Sequence, residues 1–296
     1  MGYQTNALAR ALKTNRTYNL GVLFVDERRS GLAHEYFSTV LESFKVTAES
    51  HGYDITFITR GIGGMHDTYL KHCRYRGVDG VVIACVDFQD PQVVELVNSD
   101  IPLVTIDHSF NSCICVQSDN VSGVEALVRY VHSRGHRKIA FLHGENTVVT
   151  RNRLVGFYRA CEALGIQTPE EYILPCVYHD TQRCEAATAQ LLALPDPPTC
   201  ILFPDDFSAL GGINAIHAAG LRLGEDISGV GYDGIHLAKV IGLTTYSQNA
   251  LELGRTAADQ LVSLIERPRT TLVDRIQVPG SLYISRSVKD IRPESR

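Results

Sequence analysis

Residues 116–142 read VQSDNVSGVEALVRYVHSRGHRKIAFL, and this stretch decides the fold. Its apolar side chains recur every three to four positions, at Val121, Val124, Leu127, Val128 and Val131. That spacing is typical of a helix with one buried face, and Gly135 ends it. Ile139–Leu142 is an apolar run of strand length. The stretch therefore predicts a helix followed by a strand, and it restarts an alternation that runs through the residues before it.

The same alternation of strands and helices continues on both sides. Before the stretch, the predicted strands are Val22–Phe24, Ile55–Ile58, Val81–Ala84 and Leu103–Ile106, with helices over His34–His51, up to Gly77 and around Val93–Val97. After it come helices at Arg153–Leu164, Cys184–Leu194, Ser208–Ala219 and Leu251–Glu266, and strands near Ile173–Val177, Cys200–Phe203, Val230, Leu272–Val278 and Ser281–Ile284. This order predicts an α/β protein with two similar Rossmann-like lobes, each a parallel sheet covered by helices.

The composition limits the class of protein. Of 296 residues, 44% are hydrophobic, enough for two lobes with apolar cores. Apolar runs stay below the roughly 18 residues of a membrane span, and the N-terminus lacks the layout of a secretion signal, so we expect a cytoplasmic protein with no membrane partner. The cysteines lie mostly in apolar segments and predict reduced core thiols: Cys73, Cys85, Cys113, Cys115, Cys161, Cys176, Cys184 and Cys200.

A metal site and a cofactor are not expected. Cys113-Ile-Cys115 is a candidate metal or redox pair, but no second pair completes the four ligands of a structural zinc site. Gly61-Ile-Gly63-Gly64 follows a strand, yet His66 stands where a dinucleotide loop needs its third glycine. The chain has neither a Gly-x-Ser-x-Gly elbow nor a Walker loop. We therefore expect a protein that is not an enzyme.

The N-terminal residues form a basic tip on an acidic chain. The first twenty residues carry three basic side chains, Arg10, Lys13 and Arg16, and no acidic one, a charge of +3. The rest of the chain has 25 basic and 33 acidic residues. Asn6 is a candidate cap of a short helix, in which Leu8 and Leu12 with small residues between them would give a slim apolar face. Such a helix suits a DNA minor groove. The alternative is a frayed terminal helix.

This tip is similar to a known segment. The pattern Gly-Tyr-x-x-Asn-x-x-Ala-Arg-x-Leu-Lys-Thr over residues 2–14, then Leu20-Gly-Val-Leu23, resembles the hinge helix and first core strand of the LacI/GalR family of transcription regulators. In that family a helix-turn-helix headpiece directly precedes the segment, so the chain is expected to be a regulator without its headpiece. The resemblance implies that DNA is contacted by Asn6, Ala9, Arg10, Leu12 and Lys13. It also implies that the Leu12 side chain inserts between base steps.

The family resemblance also implies a domain organisation. It implies the fold of type I periplasmic binding proteins, with a ligand cleft between the lobes. Residues 1–19 are then the hinge helix and linker, 20–116 with 247–280 the N-terminal lobe, and 117–246 with 281–296 the C-terminal lobe. A homodimer through both lobes is implied too, with Ser208–Ala219 as the candidate contact of the second lobe.

Three polar residues of the second lobe and Gln248 of the hinge strand match segments of the family that contact ligand or form the hinge. Arg153 in Thr-Arg-Asn-Arg-Leu-Val-Gly-Phe matches the arginine that reaches the effector, and arginine offers a fixed fork of donors. Asp233 ends Val-Gly-Tyr-Asp, although Gly234 replaces the second acid of that motif. Asp205 stands where an asparagine is common, which favours a ligand rich in donors. Gln248 either contacts ligand or locks the hinge.

Two further regions predict ligand contacts. Residues 26–37 form a loop about five residues longer than the family pattern, with His34, Glu35 and Tyr36 as candidate contacts and Arg28 and Arg29 as lid charges. His179 lies near a position where relatives place an aromatic stacking residue.

Three classes of function are distinguishable. A ligand-sensing transcription regulator accounts for the hinge and the motifs. A solute-binding receptor shares the two lobes but has no use for the hinge. The enzyme class is disfavoured because the sequence shows no nucleophile motif. The carboxylates with one arginine predict a neutral effector, a mono- or disaccharide, with a nucleobase as the alternative. We expect operator DNA as the second partner. Ligand is able to release or promote DNA binding, because either requires only differential affinity for two states.

Overall fold

A computed structural model of the chain describes residues 16–25, 31–60 and 68–293. Within these ranges the strands are β1 Asn19–Phe24, β2 Asp54–Phe57, β3 Gly80–Ala84, β4 Leu103–Ile106, β5 Ile114–Ser118, β6 Ile139–His143, β7 Ile173–Pro175, β8 Cys200–Leu202, β9 Ser228–Asp233, β10 Thr244–Ser247, β11 Arg275–Val278 and β12 Ser281–Tyr283. The helices are α1 Glu35–Ser50, α2 Tyr69–Arg76, α3 Pro91–Val97, α4 Asn120–Ser133, α5 Val148–Leu164, α6 Thr181–Leu192, α7 Ala209–Ala218, α8 His236–Ile241 and α9 Ala250–Glu266.

The described chain divides into two compact units, each built on a six-stranded sheet. The first unit reaches Gln117 and adds Ala250–Val278, and its strand order is β11-β5-β4-β3-β1-β2. Strands β1 to β5 are parallel, and the side chains of β1, β3, β4 and β5 are largely buried. Helix α9 packs beside α1, where the backbone of Gly254 lies so close to Val40 that a Cβ would overlap the Val40 carbonyl oxygen.

The second unit comprises Ser118–Asn249 and residues 279–293 of the described chain, with strand order β12-β10-β9-β8-β6-β7. Strands β6 to β10 are parallel, and β12 runs antiparallel to β10. Helices α4 and α5 form a close pair because Gly156 has no Cβ to overlap the carbonyl oxygen of Val121. Apolar clusters lie on both faces of this sheet, as the alternating pattern predicts.

Two predicted features differ in detail from the structure. Helix α5 begins at Val148 and not at Arg153, because Thr147 caps it by accepting the N–H of Thr150. Residues 247–249 and 279–280, assigned to the first lobe by the sequence, lie in the second unit. There the Gly280 N–H donates to the Tyr246 hydroxyl at 3.0 Å. The predicted α/β architecture with two mainly parallel sheets is confirmed.

The cysteines are free thiols, and seven of the eight are buried. Cys85 is the partly exposed exception. Among the helices of the described ranges, none combines the length and the apolar character needed to cross a membrane.

Candidate functional site

The candidate site of the second unit lies at the carboxyl edge of its parallel strands. Open α/β sheets bind ligands at this edge, because the segments that follow the strands carry the variable side chains. Here β9 ends at Asp233, β10 is followed by Gln248, β8 leads to Asp205, and α5 follows β6 and carries Arg153. We call Asn120, Arg153, Tyr232, Asp233 and Gln248 the Arg153 group.

Arg153 is buried, with 4% of its surface exposed, and its guanidinium is held on several sides. Its Nε donates to Asn120 Oδ1 at 2.8 Å and its Nη1 donates to the carbonyl of Pro204 at 2.9 Å. The guanidinium carbon lies 3.7 Å from the ring centroid of Tyr232, and Nη2 is 3.9 Å from Asp233 Oδ1. Hydrogen bonds, a cation–π contact and an ion pair therefore fix the arginine fork in one orientation.

Asp233 faces Arg153 from the end of β9 and is cross-linked to the next strand. Gln248 Nε2 donates to Asp233 Oδ1, and the Gln248 N–H donates to the Asp233 carbonyl at 3.2 Å. The Asp233 φ angle of 112° is strained for a residue with a side chain, a conformation that costs about 1–3 kcal/mol and is concentrated at functional sites. The structure thus brings Arg153, Asp233 and Gln248 together, three of the residues that the sequence predicts.

Asp206, which the sequence analysis did not select as a ligand contact, shapes the turn after Asp233. It is fully buried, and its Oδ2 accepts the N–H groups of Gly234 at 2.7 Å and Ile235 at 3.0 Å. Burial, and then the neighbouring Asp233 carboxylate, raise the pKa of Asp206 well above its ordinary range. Gly234 replaces the family's second acid directly after Asp233, and Asp206 supplies a carboxylate from another strand end.

Asp205 and His179 are in contact, and the contact is between the Asp205 side chain and the His179 backbone. Asp205 Oδ2 accepts the His179 N–H at 2.8 Å and the Ser208 hydroxyl at 2.7 Å, and Oδ1 accepts the Ser208 N–H at 2.6 Å. The Asp205 carboxylate therefore positions the His179 backbone, whose φ is 58°. The His179 ring stacks on Phe207, with centroids 3.9 Å apart and planes 10° from parallel.

Tyr178 and Asn120 complete this part of the site, and the sequence motifs did not single them out. The Tyr178 hydroxyl is 2.8 Å from Thr150 Oγ1, and its ring lies against Gly144, where a Cβ would overlap it. The Arg153 guanidinium carbon is 5.3 Å from the Tyr178 centroid. Burial raises the pKa of Tyr178, so its hydroxyl stays protonated at neutral pH. Tyr178 directly precedes His179, a predicted contact, and this adjacency was the sequence signal that could have identified Tyr178 as a site residue.

The first unit places aromatic residues at the corresponding edge of its own sheet. Phe88, after β3, and His108, after β4, stack at 4.3 Å with planes 6° apart, and Phe110 lies 4.9 Å from His108. We call Phe88, His108 and Phe110 the first-unit aromatic group. Cys85 and Asp107, which directly follow the same two strands, have φ angles of 53° and 61°.

His34, Glu35 and Tyr36 lie at the start of α1 in the first unit. His34 contacts the ring of Phe37 edge-on at 5.0 Å, and Phe37 contacts Phe24 at the end of β1 at 5.5 Å. Tyr36 is 4% exposed and belongs to the core.

Several predicted residues lie outside the part of the chain that the structure describes, and their roles stay predictions. The DNA contacts Asn6, Ala9, Arg10, Leu12 and Lys13 and the lid charges Arg28 and Arg29 lie outside the described ranges. Within those ranges, no group of three or more His, Cys, Asp or Glu side chains is arranged to hold a metal ion.

Comparisons with known proteins identify the family of the chain. Residues 19–286 match the family described as periplasmic binding proteins and sugar binding domain of LacI family. The chain is 30% identical over 301 residues to the HTH-type transcriptional repressor PurR of Photobacterium profundum, an alignment that covers 98% of this chain and 87% of that repressor.

Two solved structures are similar over almost the whole chain. A LacI family transcriptional regulator from Enterococcus faecium with bound ribose has a TM-score of 0.78 at 25% identity, covering 93% of this chain and 100% of that one. The lac repressor dimer bound to operator and the anti-inducer ONPF has a TM-score of 0.78 at 26% identity, covering 97% of this chain and 100% of that one.

Proposed function

The chain belongs to the family of periplasmic binding proteins and LacI-type sugar-binding domains, and we propose that the Arg153 group is its effector site and that the effector is a mono- or disaccharide. The curated relatives are transcriptional repressors, and this favours an effector-binding regulator over a solute receptor. The observation that carries the proposal is the buried, pre-oriented guanidinium of Arg153 beside the Asp233 carboxylate.

A donor fork beside an acceptor suits neighbouring hydroxyl groups. Each hydroxyl of a sugar accepts one hydrogen bond and donates another, so it pairs with an arginine N–H and a carboxylate oxygen together. The flat His179–Phe207 stack offers an apolar ring face near the same strand ends, and the C–H face of a pyranose or furanose packs on such rings. The ribose bound to the similar E. faecium regulator supports the same class of ligand. A nucleobase, which also stacks, is the competing class.

Ligand binding and DNA binding are then linked. We infer that the chain acts as a homodimer on operator DNA, with Asn6, Ala9, Arg10, Leu12 and Lys13 as contacts and α7 at the interface of the second unit. A similar solved repressor is a dimer bound to operator, and this supports the inference. The effector shifts operator affinity by the difference in its own affinity for the two states of the dimer.

Calorimetry with a panel of pentoses, hexoses, disaccharides and nucleobases tests the site and the class of ligand together. Arg153→Lys keeps the charge but loses the fork, and Asp233→Asn removes the carboxylate. Each should weaken binding about 10-fold to 150-fold, corresponding to the roughly 1.5–3 kcal/mol of a charged hydrogen bond. Arg151→Lys is the matched control, because Arg151 lies two residues away on the same helix, is exposed, and donates from its guanidinium to the exposed Asn146 side chain at 2.9 Å.

The outcomes separate the two parts of the proposal. If both site variants bind as tightly as the Arg151→Lys control, the Arg153 group is not the effector site. If a nucleobase binds and no saccharide does, the site stands and the carbohydrate class is wrong.

A further inference from the structure

Two consecutive aspartates of the second unit hold the backbone of two other segments. Asp205 is 4% exposed and Asp206 is fully buried. Strand β8 ends at Leu202 and α7 begins at Ala209, so both carboxyl groups lie in the short connection between a strand and a helix. We call Asp205 and Asp206 the aspartate pair. A buried carboxyl group is costly unless hydrogen bonds replace its lost water, so the contacts of each one indicate its role.

Asp206 holds the turn that follows Asp233. Its Oδ2 accepts the N–H groups of Gly234 at 2.7 Å and Ile235 at 3.0 Å. Its own N–H donates to the carbonyl of Tyr232 at 2.8 Å, so Asp206 is bonded on both sides of Asp233 in the chain. The Asp233 φ angle of 112° is strained, and these bonds compensate for the strain.

Asp205 holds the segment that carries His179 in a similar way. Its Oδ2 accepts the His179 N–H at 2.8 Å and the Ser208 hydroxyl at 2.7 Å, and its Oδ1 accepts the Ser208 N–H at 2.6 Å. The Ser208 hydroxyl oxygen accepts the next N–H of the segment, that of Asp180, at 3.1 Å. The His179 φ angle is 58°. One dipeptide therefore anchors two left-handed residues that come from different segments.

We propose that the aspartate pair consists of positioning residues, which set the ligand affinity of the candidate site through the backbone of His179 and Asp233 and not through ligand contacts of their own. The effect on ligand rests on the proposed function, whereas the effect on the backbone does not. A binding group that moves by about 1 Å no longer meets its partner in the ligand, so loss of either anchor should weaken binding.

Asparagine should replace Asp206 without loss of the anchor. Both N–H groups that Asp206 accepts are bonded to Oδ2, while Oδ1 is buried with no hydrogen bond to the described residues. Burial, and then the Asp233 carboxylate, raise the pKa of Asp206 well above its ordinary range, so a neutral amide resembles the protonated acid. Asp206→Asn therefore keeps both bonds through its amide oxygen.

Asparagine should not replace Asp205. Each of its two oxygens accepts a backbone N–H, from His179 at Oδ2 and from Ser208 at Oδ1. An asparagine side chain in either orientation turns its NH2 group towards one of these two donors. Asp205→Asn therefore loses one anchoring bond, although it changes no more atoms than Asp206→Asn does.

Amide hydrogen exchange of the protein without ligand tests the effect on the backbone. Asp206→Ala should speed exchange at Gly234 and Ile235 about ten-fold or more relative to the amides of β6, and Asp206→Asn should leave it within about two-fold of the wild type. Asp205→Asn should speed exchange at His179 or Ser208 by about ten-fold or more.

Ser287→Ala is the matched control for a general loss of stability. Ser287 is 1% exposed, and its hydroxyl accepts the Thr244 N–H at 2.8 Å and donates to the Gly229 carbonyl at 2.6 Å. These bonds join β9 and β10 near their amino ends, away from Asp233 at the carboxyl end of β9. Ser287→Ala should speed exchange at Thr244 and leave Gly234 as it is in the wild type.

Calorimetry tests the effect on ligand, with D-ribose as the first probe and then the saccharide of the panel that the wild type binds most tightly. Asp206→Ala and Asp205→Asn should each weaken binding about ten-fold, because the ligand must then order the segment that the lost bond held. Asp206→Asn and Ser287→Ala should bind within about two-fold of the wild type.

Several outcomes would overturn the proposal. Weaker binding by Asp205→Asn with unchanged exchange at His179 and Ser208 would make Asp205 a direct ligand contact. Unchanged binding by Asp206→Ala, or an equal loss in Ser287→Ala, would remove the link between the anchors and affinity. If Asp206→Ala does not fold, the contrast between the two asparagine variants decides. If the wild type binds no saccharide, the proposed ligand class fails, and the exchange rates alone decide whether the aspartate pair anchors the two segments.

Discussion

The two units share a sheet but differ in the chemistry of its edge. Each orders its first five strands in the same way, β2-β1-β3-β4-β5 in one and β7-β6-β8-β9-β10 in the other, with one late strand added. In the second unit, the strand ends carry the ion pair of buried Arg153 with Asp233. In the first unit they carry the stacked rings of Phe88 and His108.

This difference separates what builds the fold from what determines binding. Both sheets are formed mainly by buried apolar strand residues, which stabilise the architecture through burial. The polar and aromatic residues follow the strands and are held by contacts that the sheet does not need. The second unit is therefore expected to determine which hydrogen bonds a ligand makes.

The largest expected difference between the units concerns their ion pairs. Arg153→Ala should lower the free energy of unfolding by about 3 kcal/mol or more, because it removes the cation paired with the Asp233 carboxylate and takes a donor from Asn120 Oδ1 and from the Pro204 carbonyl. Arg60→Ala removes the partner of Asp90 in the first unit, but the Arg60 side chain is 49% exposed, so the expected loss is below about 1 kcal/mol.

Urea unfolding measures both variants. Equal losses would show that the Arg153–Asp233 pair contributes no more to the free energy of unfolding than a surface ion pair does.

A smaller effect should be the same in both units. Gly156→Ala and Gly254→Ala each place a Cβ against a backbone carbonyl oxygen, of Val121 and Val40 respectively. A backbone oxygen cannot move aside as a side chain does, so each variant should lose about 1–3 kcal/mol despite the better helix propensity of alanine. Val155→Ala, at a position 42% exposed, should change stability by less than about 0.5 kcal/mol.

Thermal melts of the three variants decide this point. If only one glycine variant is destabilised, the close helix approach is a property of that unit and not of the shared fold.

The smallest effect concerns a buried histidine of the second unit. His136 Nδ1 is 2.9 Å from Thr199 Oγ1 and its Nε2 is 3.1 Å from the Lys289 carbonyl, with Asp290 and Arg137 as the charged groups that face it. Burial lowers its pKa, so the unfolded chain takes up a proton first as the pH falls. The stabilisation is full above about pH 6.5 and is lost below it, by at most about 1.4 kcal/mol per pH unit.

Urea unfolding between neutral pH and pH 5 should therefore show a steeper decline for the wild type than for His136→Gln. Parallel declines of the two proteins would mean that His136 does not contribute to acid sensitivity.

The fold was predictable because strands buried on both faces leave a strong apolar signal, but local boundaries depend on single hydrogen bonds. The β-branched residues Val148 and Val149 weaken the helical pattern before Arg153, and the cap at Thr147 outweighs them. The six-residue α8 was not predicted, since so short a helix shows too few repeats of its period.

Site residues were predictable only where they belong to a recognisable motif of consecutive residues. Arg153 and Asp233 were found through their own motifs, whereas Asn120 acts through a contact 33 positions away in sequence.

The left-handed residues at the strand ends restrict which amino acids selection or design can place there. Cys85, Asp107, His179, Asp233 and Asn249 all have φ between 53° and 112°. Glycine, asparagine and aspartate accept such backbone angles at least cost, and β-branched residues do not. A randomised library aimed at new ligand specificity will therefore lose most of its diversity at these positions before any ligand is present, and variation in specificity should arise from their neighbours with ordinary backbone angles.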